Sequence, residues 1–284
     1  MMIFKNGEWR KGVKQQLATP NSNHWNNSLD WVPGDEKELF ESSEETPSKK
    51  IYTKKPIKYT FNNLGWRTKD NFLEKDEPAN LYLGCSHTFG QGLYYESTWA
   101  YKVNEYVKGK YYNVGWPGSS LTTEYRKLKI ALRTYNIQNV FLFLPHYTRF
   151  EVYDPFSGKD GGYVIHNPAW DRPLGEDWLK VLSLSDNYNV AANAVISAMS
   201  YLCETYKVPF YSMDGFITHF IQTQKKFMIP DCPCGGDWDY ETKGPHYARD
   251  NHHPACVHEY IADRYIEMYK NKIKPGFYKM DSYV

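Results

Sequence analysis

The sequence predicts an α/β fold in which helices cover both faces of a central parallel sheet. From residue 79 onward, short apolar segments alternate with single helical segments, which is the order of elements in such a sheet. The continuous apolar run over residues 140–144, ended by Pro145, is typical of a strand buried on both faces. Because ligands of parallel sheets bind at the carboxyl ends of the strands, the turns after the strands are the expected site.

Each element has its own signal. Apolar segments bounded by turn residues predict strands over residues 80–83, 111–114, 140–144 and 209–213. Apolar spacing of three to four residues predicts helices over residues 97–108 and 190–206. Ser119 or Ser120 can cap another helix, whose apolar stripe comprises Leu121, Tyr125, Leu128 and Leu132. The last helix has Pro254 in its first turn and ends at Pro275-Gly276. Residues 150–185 and 229–252 are predicted to be irregular insertions.

The chain divides into three parts by composition. Residues 1–59 form a polar N-terminal extension, residues 60–275 form the main domain, and residues 276–284 form a C-terminal tail. The extension can hardly build a core of its own. Its tryptophans, Trp9, Trp25 and Trp31, indicate that it lies against the main body or against a partner.

Charge and hydropathy exclude several classes of partner. The 284 residues include 34 Lys and Arg against 33 Asp and Glu, so neither nucleic acid nor an anionic membrane is expected to bind. No apolar run reaches the roughly 18 residues of a membrane span, and the polar start does not resemble a secretory signal. We therefore expect a soluble protein that is cytoplasmic as synthesised.

The five cysteines do not form the pattern of a disulfide framework, which fits a reducing cytosol. A zinc site is the alternative hypothesis for the cysteines and histidines near the C-terminus, since thiolate and imidazole suit tetrahedral zinc. Its candidate ligands are Cys232, Cys234, His246, His252 and Cys256. The Cys-x-Cys spacing is tighter than usual, so we expect neither a metal nor a cofactor.

Two segments far apart in the chain supply the groups of a serine nucleophile. The turn after the first strand contains Gly84, Cys85 and Ser86, and the segment before the last helix contains Asp250 and His253. A serine hydroxyl needs a base to remove its proton, and a histidine suits that role near neutral pH. A carboxylate fixes the tautomer of the histidine and stabilises its charged form. We therefore predict a Ser86–His253–Asp250 triad.

Other residues compete for these roles or complete them. His252 competes with His253 as the base, and the three-residue spacing from Asp250 favours His253. His87 is interpreted as a residue of the helix start or of the rim of the site. The tetrahedral intermediate of acyl transfer needs donors for its oxyanion, and the backbone amides of Ser86 and Gly115 are the predicted donors.

These residues resemble the blocks of the SGNH (GDSL-type) hydrolases, a family of esterases, lipases and deacetylases. The matching blocks are residues 84–86, Gly115 within residues 113–118, and Asp250, His253 and Pro254. Residues 63–67 and 98–99 also resemble segments of many members, so the resemblance covers about residues 60–272. It implies a three-layer α/β/α sandwich with a flavodoxin-like parallel sheet and supports the triad and oxyanion donors named above.

The chain departs from this family at two positions. Cys85 stands where the family usually has an Asp, and its small side chain is a tolerable replacement. The family block that normally provides an oxyanion Asn after the third strand contains none here. The candidates for this third donor are His146, Tyr147, Thr148 and Arg149.

The sequence thus predicts a serine esterase, and its 25 Tyr and 9 Trp favour the O-acetyl groups of a glycan as the substrate. The alternative is a non-catalytic glycan-binding protein that keeps the same fold. Short polar loops rich in Asn, Lys and Tyr also resemble hydrolase-like proteins of bacteriophages. That resemblance implies a virion location, with the N-terminal extension contacting a partner protein.

Overall fold

The computed structural model describes residues 4–5, 8–9, 27–32, 37–42, 47–72, 77–145, 149–154, 162–166, 187–213 and 255–272. Its strands are β1 (Phe4–Lys5), β2 (Glu8–Trp9), β3 (Ser28–Leu29), β4 (Tyr59–Thr60), β5 (Ala79–Leu83), β6 (Lys110–Asn113), β7 (Ile137–Phe143), β8 (Phe150–Asp154), β9 (Gly162–His166) and β10 (Phe210–Met213). Its helices are α1 (Lys37–Ser42), α2 (Pro47–Lys54), α3 (Ser86–Phe89), α4 (Trp99–Val107), α5 (Leu121–Thr134), α6 (Asn187–Tyr206) and α7 (Ala255–Lys270).

The central sheet has four strands in the order β10-β7-β5-β6, and every neighbouring pair is parallel. Numbered by their order in the chain and read from the β6 edge, the four strands are the second, first, third and fourth. This is the flavodoxin-like strand order. The strand order reverses between β5 and β7, and ligands of such sheets bind at the carboxyl ends of the strands on either side of the reversal. The predicted fold class is confirmed, and the expected site lies after β5.

The two faces of the sheet bury different kinds of side chain because neighbouring residues of a strand point to opposite faces. One face is mainly aliphatic, with Leu81, Leu83, Val140 and Leu142 packed against α5 and α6. The other face is aromatic and packs against α4 and α7. Its sheet residues are Tyr82, Tyr111, Phe141, Phe143 and Tyr211.

Most predicted elements occur within a few residues of the predicted bounds. The strand predicted over residues 140–144 begins earlier, at Ile137, and ends at Phe143. The helix predicted over residues 97–108 begins at Trp99, because Thr98 adopts an extended backbone and its hydroxyl accepts the Tyr101 amide as the N-cap. Ser120, rather than Ser119, caps α5 by accepting the Thr123 amide at 3.2 Å.

The insertion over residues 150–185 contains regular structure that the sequence analysis did not predict. β8 and β9 form an antiparallel pair, with Phe150 opposite His166. Glu151 of β8 forms an ion pair with Arg126 of α5 at 2.7 Å and accepts the Thr123 hydroxyl at 3.3 Å. The prediction of an irregular insertion is therefore wrong for these ten residues, since tertiary contacts with α5 support the hairpin.

Part of the N-terminal segment contributes to a third hydrophobic cluster. β3 pairs with β4 in antiparallel fashion, and Val32, Tyr52 and Ile57 are buried together with Phe89 of α3. The clustered side chains thus connect residues before position 60 to the helix that begins at Ser86.

A buried amide cluster closes the amino end of the sheet. Asn80 of β5 donates to Asn104 Oδ1 at 2.9 Å and to the Lys108 carbonyl at 2.8 Å. Asn139 of β7 donates to Asn80 Oδ1 at 2.9 Å. These bonds join two strands and α4 at the end of the sheet opposite the expected site.

We expect Phe141→Ala to destabilise the fold strongly. The Phe141 ring stacks on Tyr82 and Tyr211, with centroids 5.2 and 5.0 Å away, so its removal leaves a cavity between the sheet and α7. Such truncations cost about 3–5 kcal/mol of unfolding free energy. Urea denaturation measures the loss. The control Tyr201→Ala, at a residue that is 72% exposed, should change stability by less than about 0.5 kcal/mol.

Candidate active site

The turn after β5 is held in one conformation by its surroundings. Gly84 has φ +145°, and a Cβ at this position would lie 2.1 Å from Thr88 Oγ1 and 2.5 Å from the Phe143 carbonyl oxygen. Glycine is therefore required by both backbone conformation and space. The Thr88 hydroxyl donates to the Leu83 carbonyl at 3.2 Å, which joins the helix after the turn to the strand before it.

Ser86 is the first residue of α3 and its side chain is nearly buried, with 6% exposure. Its Oγ lies 3.9 Å from Cys85 Sγ, so the thiol is at most a weak partner. Within the described residues, the Ser86 amide has no hydrogen-bond acceptor. His87 follows as the second residue of α3. Its side chain is buried, with the ring centroid 6.2 Å from that of Phe143. His87 is therefore a residue of the helix start and not of the rim of the candidate site.

The turn after β6 lies directly against the Ser86 turn. The Trp116 amide donates to the Gly84 carbonyl at 3.1 Å, which joins the two turns through their main chains. A Cβ on Gly115 would lie 2.6 Å from the Phe89 amide nitrogen, so glycine permits this close approach. Asn113 supports the contact by donating to the Thr88 carbonyl at 2.8 Å.

The Gly115 amide already has an acceptor in this structure. It donates to Asn113 Oδ1 at 2.9 Å, so it would have to exchange that bond for one to an oxyanion. Gly118, in the same turn with φ +78°, has no acceptor for its amide among the described residues. Gly118 is not among the predicted donors, although a second glycine in the turn was the available signal.

Arg67 holds the other end of α3. Its guanidinium donates to the carbonyls of Phe89 at 3.0 Å, Leu93 at 2.6 Å and Gly90. It also lies over the Tyr59 ring, 4.5 Å from the centroid. The Ser86 turn is therefore fixed at its start by contacts with the turn after β6 and at its end by the buried cation of Arg67.

The end of β7 lies at the same edge of the sheet, next to the end of β5. Pro145 is buried there, and Arg149 is half-buried where the chain approaches β8. Of the four candidates for a third oxyanion donor, only Arg149 lies within the described residues, and His146, Tyr147 and Thr148 lie outside them.

The start of α7 lies at the same end of the sheet as Ser86. The Trp99 amide at the start of α4 donates to His258 Nδ1 at 3.1 Å, and near the ends of the two helices Tyr106 packs against Tyr269. The helices therefore run in the same direction, with their first residues at the carboxyl edge. Ala255, the first residue of α7, follows the predicted base by two positions. Asp250, His252 and His253 lie outside the described residues.

The structure describes three of the five cysteines. Cys256 is disulfide-bonded, whereas Cys85 and Cys203 are free and buried. Burial raises the pKa of the Cys203 thiol to about 12, which keeps it protonated near neutral pH. A single disulfide does not make a framework, and the partner of Cys256 lies outside the described residues.

Of the five candidate zinc ligands, only Cys256 lies within the described residues. The other four candidates, Cys232, Cys234, His246 and His252, lie outside the described residues. Among the residues that the structure describes, no group of three or more His, Cys, Asp or Glu could hold a metal ion. None of the described helices is long and apolar enough to cross a membrane.

Comparison with known proteins gives distant structural similarity alone. No family model and no curated protein matches the chain. A solved structure assigned to the lipolytic G-D-S-L family, from Desulfitobacterium hafniense DCB-2, is 12% identical, with a TM-score of 0.38 over 66% of this chain and 98% of that one. Another from the same family, of Veillonella parvula DSM 2008, is 13% identical, with a TM-score of 0.34 over 68% and 98%.

We expect Arg67→Lys to destabilise the turn even though the charge is kept. A lysine cannot reproduce the planar set of donors that reaches three carbonyls, so buried acceptors lose their partners. The expected loss is about 1–3 kcal/mol of unfolding free energy, measured by urea denaturation. Lys69→Ala, on an exposed side chain nearby, is the control and should be nearly neutral. Equal stability of Arg67→Lys and the wild type would contradict this role.

Proposed function

We propose that the chain is a serine hydrolase that cleaves an ester, with Ser86 as the nucleophile. The observation that carries the proposal is the position of Ser86. Ser86 is 6% exposed and is the first residue of α3, at the carboxyl end of β5 and beside the reversal of the strand order. Strained or tightly held strand-to-helix turns at this edge present reactive side chains to ligands.

His253 is the proposed base and Asp250 the carboxylate that orients it. The start of α7 supports this assignment, since it lies at the same edge as Ser86 and two residues span at most about 7 Å. In the proposed reaction His253 takes the Ser86 proton as Oγ bonds to the acyl carbon, and then returns it to the leaving alcohol. Water, deprotonated by the same histidine, releases the acid and restores Ser86.

The backbone amides of the two turns are the proposed oxyanion donors. The Ser86 amide is the first, because no described residue accepts its hydrogen bond. The second turn provides either Gly115, after it leaves Asn113 Oδ1, or Gly118. His146, Tyr147, Thr148 and Arg149 remain the candidates for a third donor.

The proposed substrate is a glycan carrying O-acetyl groups. Trp116, in the turn that contacts Gly84, is half-buried against Trp66 and Phe89, and an indole ring beside the Ser86 turn suits stacking on a sugar. An acetyl group also suits a nucleophile whose side chain is nearly enclosed. No cofactor takes part in the proposed reaction.

Hydrolysis of p-nitrophenyl acetate should depend on the Ser86 hydroxyl. We expect Ser86→Ala to lower kcat by at least about 10³-fold, because no other group can form the acyl-enzyme. Initial rates of the purified wild type and variant measure the effect, with circular dichroism as the test of folding. Ser197→Ala, on the surface of α6, is the matched control and should keep the full rate.

Undiminished turnover in Ser86→Ala would rule out this serine as the nucleophile. If the wild type cleaves no ester, including acetylated glycans, but binds glycans on an array, the alternative of a non-catalytic binding protein is favoured instead.

A further inference from the structure

A buried ion pair of α5 lies between the two turns of the candidate active site. Glu124 and Lys127 are one helical turn apart, and their side chains are 0% and 6% exposed. Lys127 Nζ lies 2.8 Å from Glu124 Oε1 and 5.2 Å from the centre of the Trp66 ring. Burying two charges is costly in free energy for each ion. Two apolar side chains of similar volume would fill this space at a lower desolvation cost.

The polar atoms of the pair are fully hydrogen-bonded. Lys127 Nζ donates to Glu124 Oε1 at 2.8 Å, to the Val114 carbonyl at 2.8 Å and to Ser119 Oγ at 3.2 Å. These three acceptors match the three hydrogens of an ammonium group. The Glu124 carboxylate accepts Lys127, the Ser119 hydroxyl and the Gly84 amide, the last at 3.0 Å.

Burial acts against both charges, and their mutual attraction offsets only part of that effect. Burial raises the pKa of the Glu124 carboxyl and lowers the pKa of the Lys127 ammonium. The charge of each group shifts the pKa of the other in the opposite sense. The complete set of hydrogen bonds favours the charged form of both side chains.

The partners of the pair are all main-chain or side-chain groups of the two turns. Gly84 precedes Ser86 by two residues, Val114 precedes Gly115, and Ser119 follows Gly118. Because one helix binds groups from both turns, the pair sets how the turns lie relative to each other. An apolar pair would leave the Gly84 amide and the Val114 carbonyl without these partners.

We propose that Glu124 and Lys127 are positioning residues of the active site, which fix the Ser86 turn against the turn that supplies the second oxyanion donor. The proposal rests on the esterase function above. Neither side chain contacts substrate. They act through the Gly84 amide and the Val114 carbonyl.

The double variant Glu124→Leu/Lys127→Met separates positioning from stability. Replacing a buried ion pair by apolar side chains of similar size is often neutral or stabilising, but the Gly84 amide and the Val114 carbonyl lose their partners, so its Tm should fall about as far as that of the Asn139→Ala control described below. Its kcat on p-nitrophenyl acetate should fall about 10- to 100-fold with KM within about twofold, since a displacement of about 1 Å is enough for such a loss. Glu124→Gln/Lys127→Met restores an acceptor for the Gly84 amide and should recover part of kcat.

Asn139→Ala is the control for a purely structural effect. It removes a buried amide from the cluster at the opposite end of the sheet, so it should lower Tm and leave kcat unchanged. If the double variant keeps the wild-type kcat, or if kcat falls in Asn139→Ala as it does in the double variant, the positioning role is wrong.

A second measurement separates this proposal from the esterase function itself. Amide hydrogen exchange at Trp116, whose N–H joins the two turns, should be at least about tenfold faster in the double variant if the pair positions them. A wild-type protein without esterase activity would overturn the proposed function. Hydrogen exchange at the Trp116 amide would then still show whether the ion pair positions the two turns. Unchanged exchange at Trp116 would overturn the positioning even in an active enzyme.

Discussion

The main chain at Gly84 forms two hydrogen bonds in a space that admits no side chain. Its amide donates to Glu124 Oε2 and its carbonyl accepts the Trp116 amide. A Cβ here would collide with Thr88 and with the main chain of Phe143. This constraint brings β5, β7, α5 and the turn after β6 together at one point. The direction in which Ser86 leaves the strand follows from it.

The two faces of the sheet support this point in different ways. On the aliphatic face packs α5, the helix that contains Glu124 and Lys127. The aromatic face seats α4 and α7 side by side, and the Trp99–His258 hydrogen bond aligns their first residues at the carboxyl edge. Arg67 secures the end of α3 from the preceding segment. The layers thus place the Ser86 turn, the turn after β6 and the start of α7 at the same edge of the sheet.

Local sequence patterns were sufficient for the sheet and for the turn of Ser86, because buried parallel strands are continuous apolar runs ended by glycine or proline. They were insufficient where tertiary contacts decide. Lys127 resembles a surface lysine of α5 until the turns are placed over it, and the Gly115 amide resembles a free donor until Asn113 Oδ1 is seen to accept it. The β8–β9 hairpin depends on Glu151 meeting Arg126, which lies 25 residues earlier in the chain.

The central claim, a serine activated by the residues before α7, is tested most directly with a fluorophosphonate probe and mass spectrometry of the labelled peptides. Such probes modify a serine whose hydroxyl is activated by a neighbouring base. The account predicts one labelled peptide, modified at Ser86, with labelling lost in His253→Ala and kept in His252→Ala. Wild-type protein that stays unlabelled, or that is labelled at another serine, would contradict it.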